Sequence, residues 1–545
     1  MNIEYHDFII VGAGPAGLQA GYHLEKSKQD YLILEEADMP GDFFNHYPRH
    51  RQLISINKIF TGSEDQEVNL RWDWNSILSD SNEPHLYKQY TQKYFPSAEE
   101  MPRYLSDYAE KFCLNVRTSS KVKDIRKDDC FQLTLESGDL LSAKVLIVAT
   151  GLSKAWLPLS IPGIEIVKTY CDMEVNGEIY NNKRVLVLGK GNSAFETADA
   201  LIEHASMIHL SSPSPLKMAW TTHYVGHLRA INNGILDTYQ LKSQNAILDA
   251  DIQKIEKVGE VFRVSYGYQH AESEQEVIEY DHVIACTGFR FDASLFHESC
   301  RPELCDMNKL PVQKNSWESV NIPDLFFAGT LMQYLDYKKY MSGFIHGFRY
   351  NVRTLCGLLM ERYSDSSYPS RFVHMEAGAL TREIIERVNK TSALWQQPGF
   401  LADILVLDRS NENVEWFEEL SVGYAKERWP HADSEYFIVT MEFGDKKFDN
   451  PFNVHRIARD NVVKAEDSNF LHPIIRHYRG DKKVAEHHVI EDLAAEWLEP
   501  EHIEPLREFL KERLTLPVDV YTKKEIMGHK SVSQNTNKEN YSENF

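Results

Sequence analysis

"RVLVLGKGNSAFETADAL", residues 184–201, reads as an apolar strand, a glycine turn and a helix. The chain has already opened with the same order of elements at 8–24, "FIIVGAGPAGLQAGYHL". A turn of this kind aims main-chain N–H groups and the positive end of a helix at a diphosphate. Two of them in one chain predict two dinucleotides. That decides the fold: α/β, with two Rossmann-like dinucleotide-binding domains, one inserted in the other.

In the first turn Gly12 permits the sharp bend, and Gly14 lets a pyrophosphate approach the backbone, with Pro15 and Ala16 at the helix start. Gly17 lets helix and strand pack closely. The next strand, "DYLILE", ends at Glu35, where an acid would take ribose hydroxyls. Residues 41–44, Gly-Asp-Phe-Phe, put Phe43 where flavoproteins often carry a glycine- and tryptophan-containing turn, so FAD is expected in this cradle.

The second turn offers Gly189, Gly191, Asn192 and Ser193, with Ala194 at the close-packing position. The strand after it, "SMIHLSS", ends at Ser211 and Ser212, where NAD would call for an acid. With no carboxylate there to repel a 2′-phosphate, and Lys217 or Arg229 to reach one, NADPH is expected.

A flavin and a nicotinamide together suit a two-step redox enzyme, in which the nicotinamide reduces the flavin. The strands "KVLIVATGL" (144–152) and "HVIACTGF" (282–289) end in Thr-Gly and mark crossings between the two domains. They place Ala149, Thr150, Gly151, Thr287 and Gly288 at the cofactors, and Val122 is placed with them. "IPDLFFAGT" (322–330) is the last FAD-domain strand, delivering Gly329 and Thr330, and a helix from about Ser342 aims its N-terminus at the flavin ring.

The expected boundaries are an FAD-binding domain in two parts, 1–155 and 291–365, around an NAD(P)-binding domain at 156–290. A C-terminal α+β domain follows at 366–520 and a disordered tail at 521–545. The C-terminal domain is read from a strand at 435–445, a hairpin within 473–492 and an amphipathic helix at 500–514. It is expected either to cover the flavin cleft or to present a face to a protein partner or a second copy. His472, His477, His487 and His488 lie on strands that send alternate residues to opposite faces, with no cysteine or spaced acid, so no metal is expected.

The 545 residues carry 59 basic and 81 acidic side chains, net −22, which disfavours nucleic acid and anionic lipid. A 42% hydrophobic content with mean hydropathy −0.44 is that of a globular chain, and no apolar run approaches the roughly 18 residues of a membrane helix. Seven scattered cysteines fit free thiols in a reducing compartment. The first strand begins near Tyr5, which leaves no room for a secretion signal, so a cytoplasmic protein is expected.

"GKGNSAFE" (189–196) and "ACTGFRFDASLF" (285–296) resemble the second nucleotide turn and the Ala-Thr-Gly-Tyr segment of the flavin-containing monooxygenase-like superfamily. "HRQLISINKIFTG" (50–62), "LRWDWNSIL" (70–78) and "THYVGHLRAINNGILDTYQLKS" (222–243) are similar to one branch of it. That branch is FAD-dependent oxidoreductase domain-containing protein 2, flavoproteins of the endoplasmic reticulum linked to degradation. The resemblance implies that Asn57, in "SINK", hydrogen-bonds the flavin or orients substrate through its amide. It implies that Trp72, Asp73, Trp74 and Asn75 wall the isoalloxazine, unless they are core, and that His223 and Tyr224 contact nicotinamide or substrate.

Two departures stand out. With a first strand near Tyr5 and the ending "YSENF", the chain is expected to do without the signal and retention tail of that branch, and "IVKTYCDME" (166–174) replaces the monooxygenase fingerprint Phe-x-Gly-x-x-x-His. Disulfide reductases carry a cysteine pair after the first ribose acid, where this chain has "GDFFNHYPRH". Cys300 and Cys305 have pair-like spacing but follow the second domain's last strand, and are read as ordinary buried thiols. The reading is therefore an FAD- and NADPH-dependent monooxygenase that uses molecular oxygen on a nitrogen or sulfur of a small metabolite. The alternative is a flavoprotein reductase passing electrons to a protein or disulfide partner.

Overall fold

The computed structural model describes residues 3–240, 245–272, 274–444 and 454–515. The tail expected at 521–545 lies outside them.

The first sheet has Glu4–Val11 at its centre, parallel to Tyr31–Leu34 on one side and to Leu140–Val148 on the other. Phe8 and Ile10 enter one core cluster while Ile9 and Val11 enter a second, so both faces of this strand are covered and it reads as one apolar run. Leu325–Phe327 returns to the sheet parallel to Leu140–Val148, as its sequence predicts. The helices Pro15–Lys26 and Ile345–Tyr363 pack against one another on one face. The second of them starts three residues later than Ser342.

The second sheet repeats the design. Arg184–Leu188 lies between Met207–Ser212 and His282–Ala285, all parallel. The two sheets are joined by an antiparallel ribbon in which Ala155 faces Phe289 and Lys154 faces Arg290. The fold class is that of two dinucleotide-binding domains, one inserted in the other.

The third sheet is six-stranded and antiparallel throughout, in the order Ser370–His374, Asn413–Ser421, Leu401–Asp408, Glu435–Glu442, His472–Arg479, Lys482–His488. The helices Ala377–Lys390 and Pro500–Thr515 pack together beside it. Its apolar residues, among them Leu405, Trp416 and Phe437, belong to the same continuous core as Phe8 and Ile10 of the first sheet. This domain is therefore fused to the flavin-side domain by burial rather than tethered to it. Among the described residues no helix is long and apolar enough to cross a membrane.

Candidate functional site

The first cradle lies at the C-terminal ends of parallel strands. Gly12 sits at φ +105°, and a Cβ there would meet the Ala149 carbonyl oxygen at 2.8 Å and the Thr150 nitrogen at 3.3 Å. A Cβ on Gly17 would overlap the Gly12 carbonyl. One at Gly151 would lie 3.3 Å from Thr330 Oγ1, and one at Gly329 would lie 2.7 Å from Ala16 Cβ. These glycines are therefore where the backbone segments 12–17, 149–151 and 329–330 close on one another. Gly14 is the exception: a Cβ there meets nothing within 4 Å. It is the N-cap of Pro15–Lys26 and no side chain caps that helix, so the helix N–H groups face open space. This is the shape of a diphosphate seat.

Glu35 follows the second strand. Its two carboxylate oxygens accept from the Ala13 N–H at 2.7 Å and the Ala37 N–H at 3.1 Å, each keeping a lone pair for a ribose hydroxyl. Burial raises its pKa against those two bonds. Val122 is buried in the core cluster that holds Leu34. Phe43 is exposed and stacks on Tyr47, ring centroids 5.1 Å apart.

The second cradle matches the first. Gly189 is at φ +122° against the Cys286 carbonyl, and Gly191, the uncapped N-cap of Asn192–Leu201, has nothing within 4 Å of its Cβ position. Asn192 uses its whole amide on the 226–232 loop: it donates to the Gly226 and His227 carbonyls and accepts from the Arg229 N–H and the Asn232 amide. Its amide therefore fixes this loop rather than reaching outward. Ser193 lends its carbonyl to the Thr197 hydroxyl. The Thr287 hydroxyl donates to the Trp156 carbonyl and the Gly288 carbonyl accepts from the Trp156 N–H, pinning the crossover ribbon.

The expected 2′-phosphate group is rearranged. Ser212 donates to the Ser214 carbonyl, Lys217 is exposed, and the Arg229 guanidinium lies 4.8 Å over Trp74 on the flavin side. The cation at the end of the Met207–Ser212 strand is Lys190, within the glycine turn, which the sequence reading passed over. Its ammonium donates to the Ser212 and Ser214 carbonyls and pairs with Asp249. Asp249 is the register partner of Ser212 on the neighbouring strand, so a carboxylate does stand at this end, beside Met207–Ser212 rather than on it.

Between the cradles a third group of side chains assembles. Asn57 is 1% exposed; its two amide N–H donate to the Thr91 and Lys93 carbonyls, and its Oδ1 is buried without a partner. What the Asn57 amide has left to offer a ligand is its acceptor oxygen. Asp73 is buried under the Ser76 and Asn75 N–H groups, and Asn75 donates to the Ile56 carbonyl, so both brace the Asn57 segment. Trp72 is exposed, whereas Trp74 stacks on His346 at 4.2 Å between centroids. His346 is 2% exposed with neither ring nitrogen partnered, and burial together with Arg349 and Arg229 drives its pKa well below 6.5. It stands in the first turn of Ile345–Tyr363, and no periodicity separates it from a core residue.

Tyr224 reaches this group from the inserted domain, its ring 5.9 Å from Phe344 and its phenol pKa raised by burial and by the Tyr337 and Asp336 charges. His223 turns away to Phe443 of the third sheet's domain, 4.3 Å between centroids. Asp336, 1% exposed, accepts from the Ser342 N–H at 3.1 Å through Oδ2 while Oδ1 is unpartnered, and burial pushes its pKa up to about 7. Neither His346 nor Asp336 belonged to any motif.

The C-terminal domain buttresses this group. Arg71 donates to the Thr391 and Asn389 carbonyls, Glu67 accepts from Ser392, and Gln397 accepts from the Met341 N–H. The two dinucleotide domains meet at a separate seam, where Glu196 accepts from the His50 N–H and the Tyr170 hydroxyl and is raised to about 7 by burial. The seven cysteines are free; Cys300 and Cys305 both have thiol pKa values raised by burial, and Cys356 is held at about 12. His472 and His488 hydrogen-bond one another at 2.9 Å and His477 bonds Glu435.

A family model described as pyridine nucleotide-disulphide oxidoreductase matches residues 9–329. The chain is 38% identical to FAD-dependent oxidoreductase domain-containing protein 2 of Mus musculus, covering 93% of this chain and 84% of that one. The protein of that description from Danio rerio is 36% identical, covering 93% and 83%. Among solved structures, the cadaverine monooxygenase of Erwinia amylovora superposes with TM-score 0.51 at 18% identity over 68% of this chain and 96% of its own. The ornithine N-hydroxylase of Kutzneria sp. 744 gives 0.50 at 17% over 66% and 100%. These last two are likenesses of fold.

Proposed function

Since the chain belongs to the pyridine nucleotide-disulphide oxidoreductase family, and within it to the branch of FAD-dependent oxidoreductase domain-containing protein 2, we propose that it is an NADPH-using flavin monooxygenase acting on a nitrogen or sulfur of a small metabolite. FAD and NADP(H) are the cofactors of the family. A flavin held there would supply an acceptor for the nicotinamide's hydride and a donor of electrons to oxygen.

The residues fit these groups. The open Cβ positions at Gly14 and Gly191, each at an uncapped helix start, suit one diphosphate apiece, and the free lone pairs of Glu35 suit the flavin ribose. The candidate FAD contacts are therefore 12–17, Glu35, 149–151 and 329–330; the candidate nicotinamide contacts are 189–193, Lys190 and Ser212. Asn57 supplies an acceptor, His346 a neutral imidazole, and Asp336 a carboxyl that holds a proton near neutrality beside the Tyr224 phenol. The half-buried Trp74 and Phe344 rings pack over these buried groups, and the less water reaches them the stronger is each hydrogen bond made there.

The observation that carries the choice is the make-up of this group. Asn57, Tyr224, Asp336 and His346 are buried, Trp74 is half-buried against His346, and the five include no thiol. That supports oxygen as the acceptor over an internal dithiol. The seven free cysteines support a cytoplasmic setting.

The test is oxygen uptake by the FAD-loaded protein with NADPH. Air must reoxidise the flavin without a partner, and a panel of small amines and thioethers must contain one that converts peroxide release into an oxygenated product. The family description favours one second reading, electron transfer to an external disulfide or protein. That reading predicts a reduced flavin that stays reduced in air until the partner is added.

A further inference from the structure

Arg229 stands in the loop that Asn192 holds, its main-chain N–H donating to Asn192 Oδ1 at 3.0 Å. The loop carries its half-buried guanidinium to 4.8 Å from the centroid of the Trp74 ring. A guanidinium attracted to an indole keeps the N–H donors in its own plane for other partners. Among the described residues no acceptor takes one of those donors, and no carboxylate pairs with the charge. Burial lowers the Arg229 pKa, and the group acting the other way is the Tyr94 phenol rather than a carboxylate. A charge withdrawn from water is costly until an anion meets it.

The surroundings add to this positive field. Lys309 donates to the Tyr337 hydroxyl, and the Lys309 and Lys338 ammonium groups lie 4.8 and 5.1 Å from the Tyr337 ring centroid. The Lys217 carbonyl accepts from the N–H of Leu228, next to Arg229, and burial together with Lys217 and Lys338 lowers the pKa of His227. None of these three lysines pairs with a carboxylate among the described residues, although the chain carries net −22. Asp336 is raised to about 7 by burial, and none of these cations offsets that. An acceptor is close by: the Tyr94 carbonyl takes the Asn57 N–H at 2.8 Å, and Asn57 Oδ1 is unpartnered.

We propose that Arg229 determines the specificity of this site by receiving an oxyanion, and that the oxyanion is the carboxylate of the substrate, a small amine or thioether acid. This rests on the reading that the group between the cradles is the substrate site. The planar fork of a guanidinium matches a carboxylate through two parallel bonds. The open helix starts at Gly14 and Gly191 suit the cofactor diphosphates, and Lys190 stands at the Ser212 strand end, so neither draws on Arg229.

The experiment is isothermal titration of the full-length, FAD-loaded protein, in the presence of NADP+, with 3-(methylthio)propanoate and 3-aminopropanoate, each against its amide. At least one acid is expected to bind about tenfold or more tighter than its amide. Arg229→Gln should erase that advantage and Arg229→Lys restore part of it, with flavin content and 2′,5′-ADP affinity as in wild type. Acids that bind no better than their amides, or an advantage that survives Arg229→Gln, overturn the proposal. So does an Arg229→Gln variant that loses 2′,5′-ADP instead, which would give the guanidinium to the cofactor's phosphate. Oxygen uptake with NADPH is read on the same samples. Acid preference lost in Arg229→Gln, with no oxygenated product from any probe, would uphold Arg229 as the carboxylate receiver and count against the monooxygenase reading alone.

Discussion

The imidazole of His346 lies nearly parallel to the indole of Trp74, 4.2 Å away, with both ring nitrogens buried and unpartnered. Unpaired buried nitrogens cost about 1–3 kcal/mol each, so a ligand that pairs them gains what the unliganded protein lacks. His346→Phe keeps the stack and removes the nitrogens. The unliganded variant should unfold at or slightly above the wild-type temperature, while FAD or substrate affinity falls about tenfold; calorimetry with and without ligand reads both. Unchanged affinity for both would place His346 in the core alone.

Two glycines of one motif should fail differently. A side chain at Gly17 collides with the Gly12 carbonyl, whereas one at Gly14 meets no protein atom within 4 Å. Gly17→Val is expected to prevent folding. Gly14→Val should cost the flavin-free protein only about 1 kcal/mol, as a poorer N-cap, and abolish flavin uptake. Far-ultraviolet circular dichroism with flavin absorbance separates the two.

At the second cradle the preference for the 2′-phosphate should follow Lys190. Its side chain is nearly buried and its partner Asp249 faces Ser212. Lys190→Gln is expected to weaken 2′,5′-ADP about tenfold more than ADP, measured by isothermal titration. Lys217→Gln, on an exposed side chain, should do less.

Asp336 predicts a pH dependence of stability. Its folded pKa is about 7 against an ordinary 3.8, so the native state binds the extra proton. The stability this gives is full below about pH 4 and lost as pH rises to about 7. Wild type minus Asp336→Asn should therefore fall by up to a few kcal/mol between pH 4 and pH 8 in thermal unfolding. A flat difference would mean that Asp336 is not held protonated.

The cradles were legible because a phosphate seat needs its glycines adjacent in sequence, and Gly12, Gly14, Gly17, Gly189 and Gly191 write that demand as a short string. The return strand Leu325–Phe327 was legible as an apolar run ending in Gly-Thr. His346, Asp336 and Lys190 were not, since each takes its meaning from segments far away: Trp74, Tyr224 and Asp249. Arg229 was read as reaching the 2′-phosphate because it is near in sequence, yet its loop, pinned by Asn192, carries it over Trp74. Two inner strands of the third sheet, Leu401–Asp408 and Asn413–Ser421, went unread; the buried parts of both lack the clean alternation that marks a half-exposed strand.

Anaerobic addition of NADPH to the FAD-loaded protein tests most directly whether the two cradles serve one reaction. The flavin absorbance should bleach within a single mixing experiment, and Gly191→Val should take up flavin normally but bleach at least a hundredfold more slowly. A chain that binds no FAD, or an FAD-loaded chain whose colour NADPH leaves untouched, would contradict the account.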